Sequence, residues 1–246
     1  MKWQRWMGLV VALGLVVVWT TWSQAAAEDT GGITGKVFFK GEPERRTVLN
    51  KLFPADPNCV EFNKDKKVGS ETFIFNKKSG TLRNVVVFVK EGLGETTFEA
   101  PAAPATIEQK GCMYKPHILT MQTGQPLVVK NSDATMHNIN GKPKKNAPFN
   151  FAQPKAGMTR ELSIKRAEIF KVKCDVHSWM NAYVAVFDHP FHSITGKDGV
   201  FTISGLPPGE YVIAAWHEKY GEVVTQKVTV KAGEATEADL TIEDKK

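Results

Sequence analysis

The sequence shows no helical periodicity, no long apolar run after its first residues and none of the short motifs that mark hydrolytic or phosphate chemistry. Apolar side chains do not recur at three- and four-residue steps, which argues against a helical bundle. Without H-E-x-x-H, a nucleophile elbow or a phosphate loop, nothing points to catalysis by the chain alone, and we expect no enzyme. Cysteine is scarce, with three in 246 residues. Charge of one sign is not dominant: 32 Lys and Arg against 26 Asp and Glu leave a net +6. The lysines are scattered and form no helical basic stripe, so nucleic acid is not an expected partner. A hydrophobic content of 42% excludes a disordered or collagen-like chain, and the length allows a sizeable core.

What is present begins with an export signature. Lys2 and Arg5 precede an apolar stretch at 7–19, too short to span a bilayer comfortably, and Ala25, Ala26 and Ala27 supply small residues for cleavage. Residues 1–27 are expected to be a signal peptide, and the mature protein to be periplasmic or secreted. Contact with a membrane is expected only if that segment stays uncleaved. Cys59, Cys112 and Cys174 all survive cleavage. An oxidising compartment favours pairing, so one of the three is left over.

Short alternating or apolar runs separated by Gly, Pro, Asn and Asp predict an all-β protein. Strands are expected over 32–39, 72–75, 82–89, 105–109, 117–120, 126–131, 160–164, 169–174, 182–187, 200–204, 210–216, 223–230 and 238–242. Residues 46–66 mix charge, Pro and Asn and read as a long loop with room for a short helix. Breaks at Pro101-Ala102-Ala103-Pro104 and at Asp188-His189-Pro190 divide the mature chain into 28–100, 101–188 and 189–246. The outer pieces carry Ile33-Thr34-Gly35-Lys36-Val37 and Gly199-Val200-Phe201-Thr202-Ile203-Ser204-Gly205-Leu206-Pro207-Pro208-Gly209-Glu210, whose Leu-Pro-Pro-Gly turn predicts a tight reversal between two strands. These pieces resemble the carboxypeptidase regulatory-like, or transthyretin-like, β-sandwich. The resemblance implies a sandwich split around the middle block, with tandem packing as the alternative, and is silent on function.

The strongest chemical signal is Cys174-Asp175-Val176-His177-Ser178-Trp179-Met180. Alternation along 169–174 puts Phe170, Val172 and Cys174 on one face and Lys171 and Lys173 on the other. Cys174 therefore points inward at a strand end, and His177 and Met180 return toward it on one short loop. A thiolate, an imidazole and a thioether together suit copper. A second imidazole must come from another strand, and Asn131-Ser132-Asp133-Ala134-Thr135-Met136-His137-Asn138 offers His137 after a turn. The competing reading is ordinary core filling, since a free Cys is often buried.

This arrangement resembles the cupredoxins, or blue copper proteins, with Gly124, Asn131 and His137-Asn138 followed much later by the short C-x2-H-x2-M loop of amicyanin-like members. The resemblance covers about 105–188 and implies a Greek-key sandwich joined to, or inserted into, the transthyretin-like one. It implies a type 1 copper site of His137, Cys174 and His177 with Met180 as a weak axial ligand. Asn138 resembles the residue that ties the two ligand loops together and shields the sulfur. With Cys174 taken by the metal, Cys59 and Cys112 remain to form a disulfide; the alternative is two buried thiols.

The implied function is one-electron transfer with a redox partner, a cytochrome or an oxidoreductase. Lys142-Pro143-Lys144-Lys145 would give a positive rim suited to an acidic one. Two other readings remain: a copper-binding or delivery protein, weakened because Met113, Met121, Met136 and Met158 are not clustered, and a non-catalytic structural binding module. His117 is expected to be a hydrogen-bonded structural residue. His189, His192 and His217 are expected in surface or interdomain hydrogen bonds, with a second metal site as the minority alternative. Trp179 is expected either to shield the copper or to form an apolar docking patch.

Overall fold

The computed structural model describes residues 30–244. The expected signal peptide at 1–27 lies outside them. The described chain opens with β1 (Gly31–Lys40). A covering segment follows, with helical turns at Leu49–Lys51 and Phe53–Ala55 and the helix α1 (Pro57–Phe62). Then come β2 (Ile74–Asn76), β3 (Thr81–Arg83) and β4 (Val86–Glu91). The middle of the chain contributes β5 (Ala105–Gln109), β6 (Tyr114–Lys115), β7 (Ile118–Gln122), β8 (Pro126–Asn131), β9 (His137–Gly141), β10 (Phe149–Gln153), β11 (Thr159–Ser163), β12 (Glu168–Lys173) and β13 (Asn181–Phe187). The end contributes β14 (His192–Ile194), β15 (Val200–Leu206), β16 (Gly209–His217), β17 (Gly221–Val230), β18 (Ala235–Glu237) and β19 (Leu240–Glu243). The protein is all-β.

Two sheets draw strands from both ends of the chain. One has the order β15-β1-β3-β2, with β18 and β19 lying parallel to β1; the other has the order β14-β4-β16-β17. They enclose a core that includes Ile33, Val37, Val87, Ile203 and Ile213. Two further sheets, β10-β9-β12-β13-β7 and β11-β8-β5-β6, use only strands from the middle of the chain. Ile107, Leu127, Ile139, Val172 and Val184 pack between them.

Strand β4 explains why its sequence is apolar without alternation. Val87 and Val89 enter the core of the outer sandwich, whereas Val86 and Phe88 join Ile118, Ala185 and Phe187 in a third apolar cluster against the middle sheets. A strand covered on both faces has no polar positions to alternate with.

Several details differ from the sequence expectations, among them the short strands β6, β14 and β18, which fall outside the expected ranges. The expected strand at 82–89 is broken at Asn84, whose φ of 62° is left-handed, a conformation Asn tolerates better than most residues. The break sends β3 and β4 into different sheets. The Leu-Pro-Pro-Gly turn joins β15 to β16 as expected, and the two strands it connects lie in different sheets. Strand β10 was not anticipated; it pairs with β9 from Phe149 opposite Gly141 to Gln153 opposite His137.

Helix α1 is short but well started. Asp56 is its N-cap, with its Oδ1 accepting from the Asn58 amide at 2.8 Å, and Pro57 follows at the first helical position. Its end is held by Asn63, whose Nδ2 donates to the carbonyls of Cys59 and Gly111.

Candidate metal centre

Strand β12 delivers Cys174. Phe170 and Val172 are buried and Lys171 and Lys173 exposed, and Cys174, 3% exposed, continues the buried face one residue beyond the strand. The loop after it is closed by its own backbone: the Met180 amide donates to the His177 carbonyl at 2.9 Å and the Cys174 amide to the Met180 carbonyl at 3.0 Å. Asn181 then pairs with Lys173, so the loop starts and ends on paired strands. His137 opens β9, the strand beside β12. The sheet thus brings together residues forty positions apart.

His137 and His177 are buried and turn their Nδ1 atoms toward each other at 3.1 Å, with Cys174 Sγ 3.7 Å from His177 Nδ1. One donor atom from each of the three lies within 4.8 Å of the others. Nitrogen and sulfur donors about 2.0–2.3 Å from one metal, at trigonal or tetrahedral angles, lie about 3.3–3.7 Å apart, and the 3.1 and 3.7 Å separations match that range to within a few tenths of an ångström. The donor spacing fits a single ion. Met180 is fully buried at the end of the same loop.

Both imidazoles are backed by carboxylates. His137 Nε2 is 2.9 Å from Asp133 Oδ2, and His177 Nε2 is 3.0 Å from Asp56 Oδ2. A ring that gives its Nε2–H to a carboxylate turns the Nδ1 lone pair inward, which is the orientation a metal requires. Asp133 is itself held by the amides of Gly111 and Cys112 at 2.7 and 2.8 Å, and Asp56 by the Thr135 hydroxyl at 2.9 Å.

The electrostatics follow from this wiring. Burial works to raise the Cys174 thiol pKa, but hydrogen bonds with His137 and His177 outweigh it and bring the value to about 6. Burial disfavours the charged imidazoles, yet Asp133 and Cys174 hold His137 above its ordinary value, and Cys174 and Asp56 do so for His177. Both carboxylates are held below their usual range against the cost of burial, chiefly by their histidines. The pocket favours a thiolate and a positive charge beside it, the combination that a divalent cation satisfies.

Asn138 ties the segment that carries His137 to the one that carries Cys174. Its Oδ1 accepts from the Asp175 amide at 2.5 Å, and its Nδ2 donates to Asn150 and to the Asp175 carboxylate at 2.8 and 3.1 Å. Trp179 is buried, so the docking-patch alternative does not hold. Its ring packs on Phe53 and His177, and its Nε1 donates to the Cys112 carbonyl at 3.0 Å. Cys59 and Cys112 form a disulfide that pins α1 to the loop after β5. Its sulfurs also lie within 4.8 Å of a His177 nitrogen.

The remaining histidines sit elsewhere. His117 Nε2 meets Glu218 Oε1 at 2.5 Å, both side chains buried. His189 Nδ1 accepts from the Phe191 amide at 3.2 Å, and His192 stacks on Phe187. His217 packs between Phe73 and Tyr220. Among the described residues, none of these four joins a group able to hold a metal. Met113 and Met121 are buried, whereas Met136 and Met158 are exposed.

Sequence reading missed Asp56 and Asp133. Asp133 stands one helical turn's spacing before His137 in a segment already singled out. Asp56 carried only the Asp-Pro-Asn signature of a helix start, with nothing to link it to a histidine far along the chain.

Residues 179–243 match the family model of the carboxypeptidase regulatory-like domain. Strands β14 to β19 of that stretch belong to the two outer sheets, while β13 pairs with β12 and β7. No curated protein matches. Solved structures with similarity include a Cu-containing nitrite reductase from Thermus scotoductus SA-01, at 16% identity over 40% of this chain and 26% of that one, TM-score 0.31. This chain therefore spans about a quarter of the reductase. A purple cupredoxin from Nitrosopumilus maritimus gives 22% identity over 34% of this chain and 99% of that one, TM-score 0.30. An amicyanin variant in its Cu(I) form gives 18% identity over 39% and 97%, TM-score 0.32. Likeness at this level does not carry function from one protein to another.

Proposed function

We propose that this chain is an exported type 1 copper protein that carries one electron at a time between redox partners. His137, Cys174 and His177 would hold the copper, with the buried Met180 as a thioether donor from the same loop. The observation that carries the reading is the convergence of one thiol and two carboxylate-backed imidazoles on a point that suits first-row bond lengths. Copper supplies the one-electron couple. The chain supplies rigidity: Cys174 and His177 lie on a loop closed by its own hydrogen bonds, His137 on the neighbouring strand, and Asn138 bridges them. Donors held this firmly move little between oxidation states. All three are buried, which suits a carrier better than an enzyme that admits a substrate to its metal. A disulfide in the same unit suits a periplasmic or secreted protein.

The test is a visible absorption spectrum of the mature, copper-loaded protein beside Cys174→Ser. An intense thiolate-to-copper band, absent from the variant and bleached by a mild reductant, is the expected result. A colourless protein that takes up no copper would leave His137, Cys174 and His177 as core residues.

A further inference from the structure

The proposed copper ligands have no direct opening to solvent. His137, Cys174 and His177 are 0%, 3% and 1% exposed. The outer edges of both imidazoles are occupied by Asp133 and Asp56. The covering segment closes the His177 side, with Phe53 on Trp179 and Cys59 bonded to Cys112. An electron must therefore leave through the protein, and a short covalent path runs from the sulfur along the Cys174 backbone to its neighbour Lys173.

Lys173 stands at the near end of a groove of about 470 Å³. The groove exists because β9 and β12 part company: they pair only at Gly141 with Val172 and at Asn140 with Lys173, after which the chain leaves the sheet. The groove is lined by Lys142, Lys144 and Lys145 from the segment after β9 and by Ile169, Phe170, Lys171 and Lys173 of β12. Glu168 is the single carboxylate there, and it is already engaged. Its oxygens accept from the Lys144 and Lys145 amides at 2.7 and 2.9 Å and from Asn146 Nδ2 at 2.7 Å, which fastens the lysine loop against β12. These bonds hold its carboxyl below the usual range against the cost of burial. Lys173 alone has a carboxylate partner beyond the groove, Asp175 at 2.8 Å.

We propose that this groove docks the acidic face of a protein redox partner. The inference rests on the electron-transfer reading given above. Five lysines line the trough. Lys145 Nζ donates to the Ala167 carbonyl at 3.2 Å, Lys171 Nζ lies 5.9 Å from the Tyr183 ring centre and Lys173 pairs with Asp175. Together with Lys142 and Lys144 they leave a positive surface that complements several carboxylates spread on a partner. A small anion held by exposed lysines would be screened by water and salt, whereas a multivalent face gains from every pair and from steering before contact. The docked partner would sit one residue from the copper thiolate.

The experiment uses the full mature protein, copper-loaded and reduced to the diamagnetic state, with a purified acidic c-type cytochrome as probe. Backbone amide shifts are followed by NMR at low salt, and electron transfer by stopped flow. Shifts clustered on 142–145 and 168–173 are expected. The triple variant Lys142→Glu, Lys145→Glu, Lys171→Glu should weaken binding and slow association by about 10-fold or more, an effect that fades at high salt. A control reversal of Lys66, Lys67 and Lys110 should do much less. Equal losses in both variants, shifts located elsewhere, or no low-salt binding would overturn the docking site. The visible band is recorded on the same samples. Its absence alongside groove binding would sink the electron-transfer reading, and the redox role of the partner with it. An intact band without groove binding would sink only the docking site.

Discussion

Asp56 Oδ2 lies 3.0 Å from His177 Nε2 across 121 residues of sequence. Asp56 is at the same time the N-cap of α1 and the acceptor of the Thr135 hydroxyl. One carboxylate thus starts a helix, fastens a cover over the centre and orients an imidazole. Asp133 performs the matching task for His137. The two histidines are aimed from behind, by carboxylates, toward one point.

Replacing Asp56 with Asn should raise the reduction potential of the copper-loaded protein, because an anion near the metal favours the more positive oxidised state. Asn remains a good N-cap, so α1 and the fold should persist. Copper affinity should fall by about 10- to 100-fold, as for other partners of metal-bound histidines. Voltammetry and competition titration measure the two effects. An unchanged potential with unchanged affinity would reduce Asp56 to a structural cap.

Removing the disulfide as Cys59→Ala with Cys112→Ala should cost about 4 kcal/mol, the loop-closure entropy for a sequence separation of 53. The covering segment loses its tie to the Cys112 corner, and that corner also supplies amides to Asp133 and a carbonyl to Trp179. Guanidinium unfolding should show the loss. A midpoint equal to the parent's would mean that packing of Phe53 and α1 suffices.

Stability should fall as the pH drops from neutral toward 4. Burial pushes His217 down to about 4, and burial together with His189 does the same to His192. Both values lie below those of the unfolded chain, near 6.5. Above about 6.5 neither state binds the proton; between about 6.5 and 4 the unfolded state binds it and the folded state does not, so stability is lost across that window. His217 is fully buried with Nε2 unpartnered, and its share is at most about 3 kcal/mol. His217→Phe should flatten the decline measured by denaturant unfolding at pH 7.5, 6 and 5. A variant curve parallel to the parent's would assign the dependence to other groups.

Gly35→Ala should destabilise the outer sandwich by about 2–3 kcal/mol. A Cβ at residue 35 would stand 2.1 Å from the Ala238 carbonyl oxygen, where the chain crosses between β18 and β19 beside β1. Backbone has to move to admit it. The visible copper band should be unaffected, since β1 contributes nothing to the middle sheets. Loss of the band together with stability would mean that the two pairs of sheets fold as one unit.

Alternation along 169–174 was enough to turn Cys174 inward and the lysines outward, because a strand leaves its side chains only two faces. The spacing Cys174-x2-His177-x2-Met180 was enough to place those residues on one tight turn. An odd cysteine count was enough to set one thiol apart, and the neighbours of Cys174 marked which. These are local matters, decided within a few residues of chain. What lay beyond local reading depends on which segments the fold brings together. Residues 149–153 became a strand because β9 had a free edge to pair, and 82–89 broke because its two halves serve different sheets. Asp56 reaches His177 only because the disulfide and Phe53 lay its segment over the loop. The lysine groove opens only because β9 and β12 diverge. By itself the sequence determined the all-β class, the inward face of β12 and which residues are candidate donors. Tertiary structure alone decided what stands behind each imidazole and which lysines gather beside β12, since long-range packing has no period or spacing that a sequence can display.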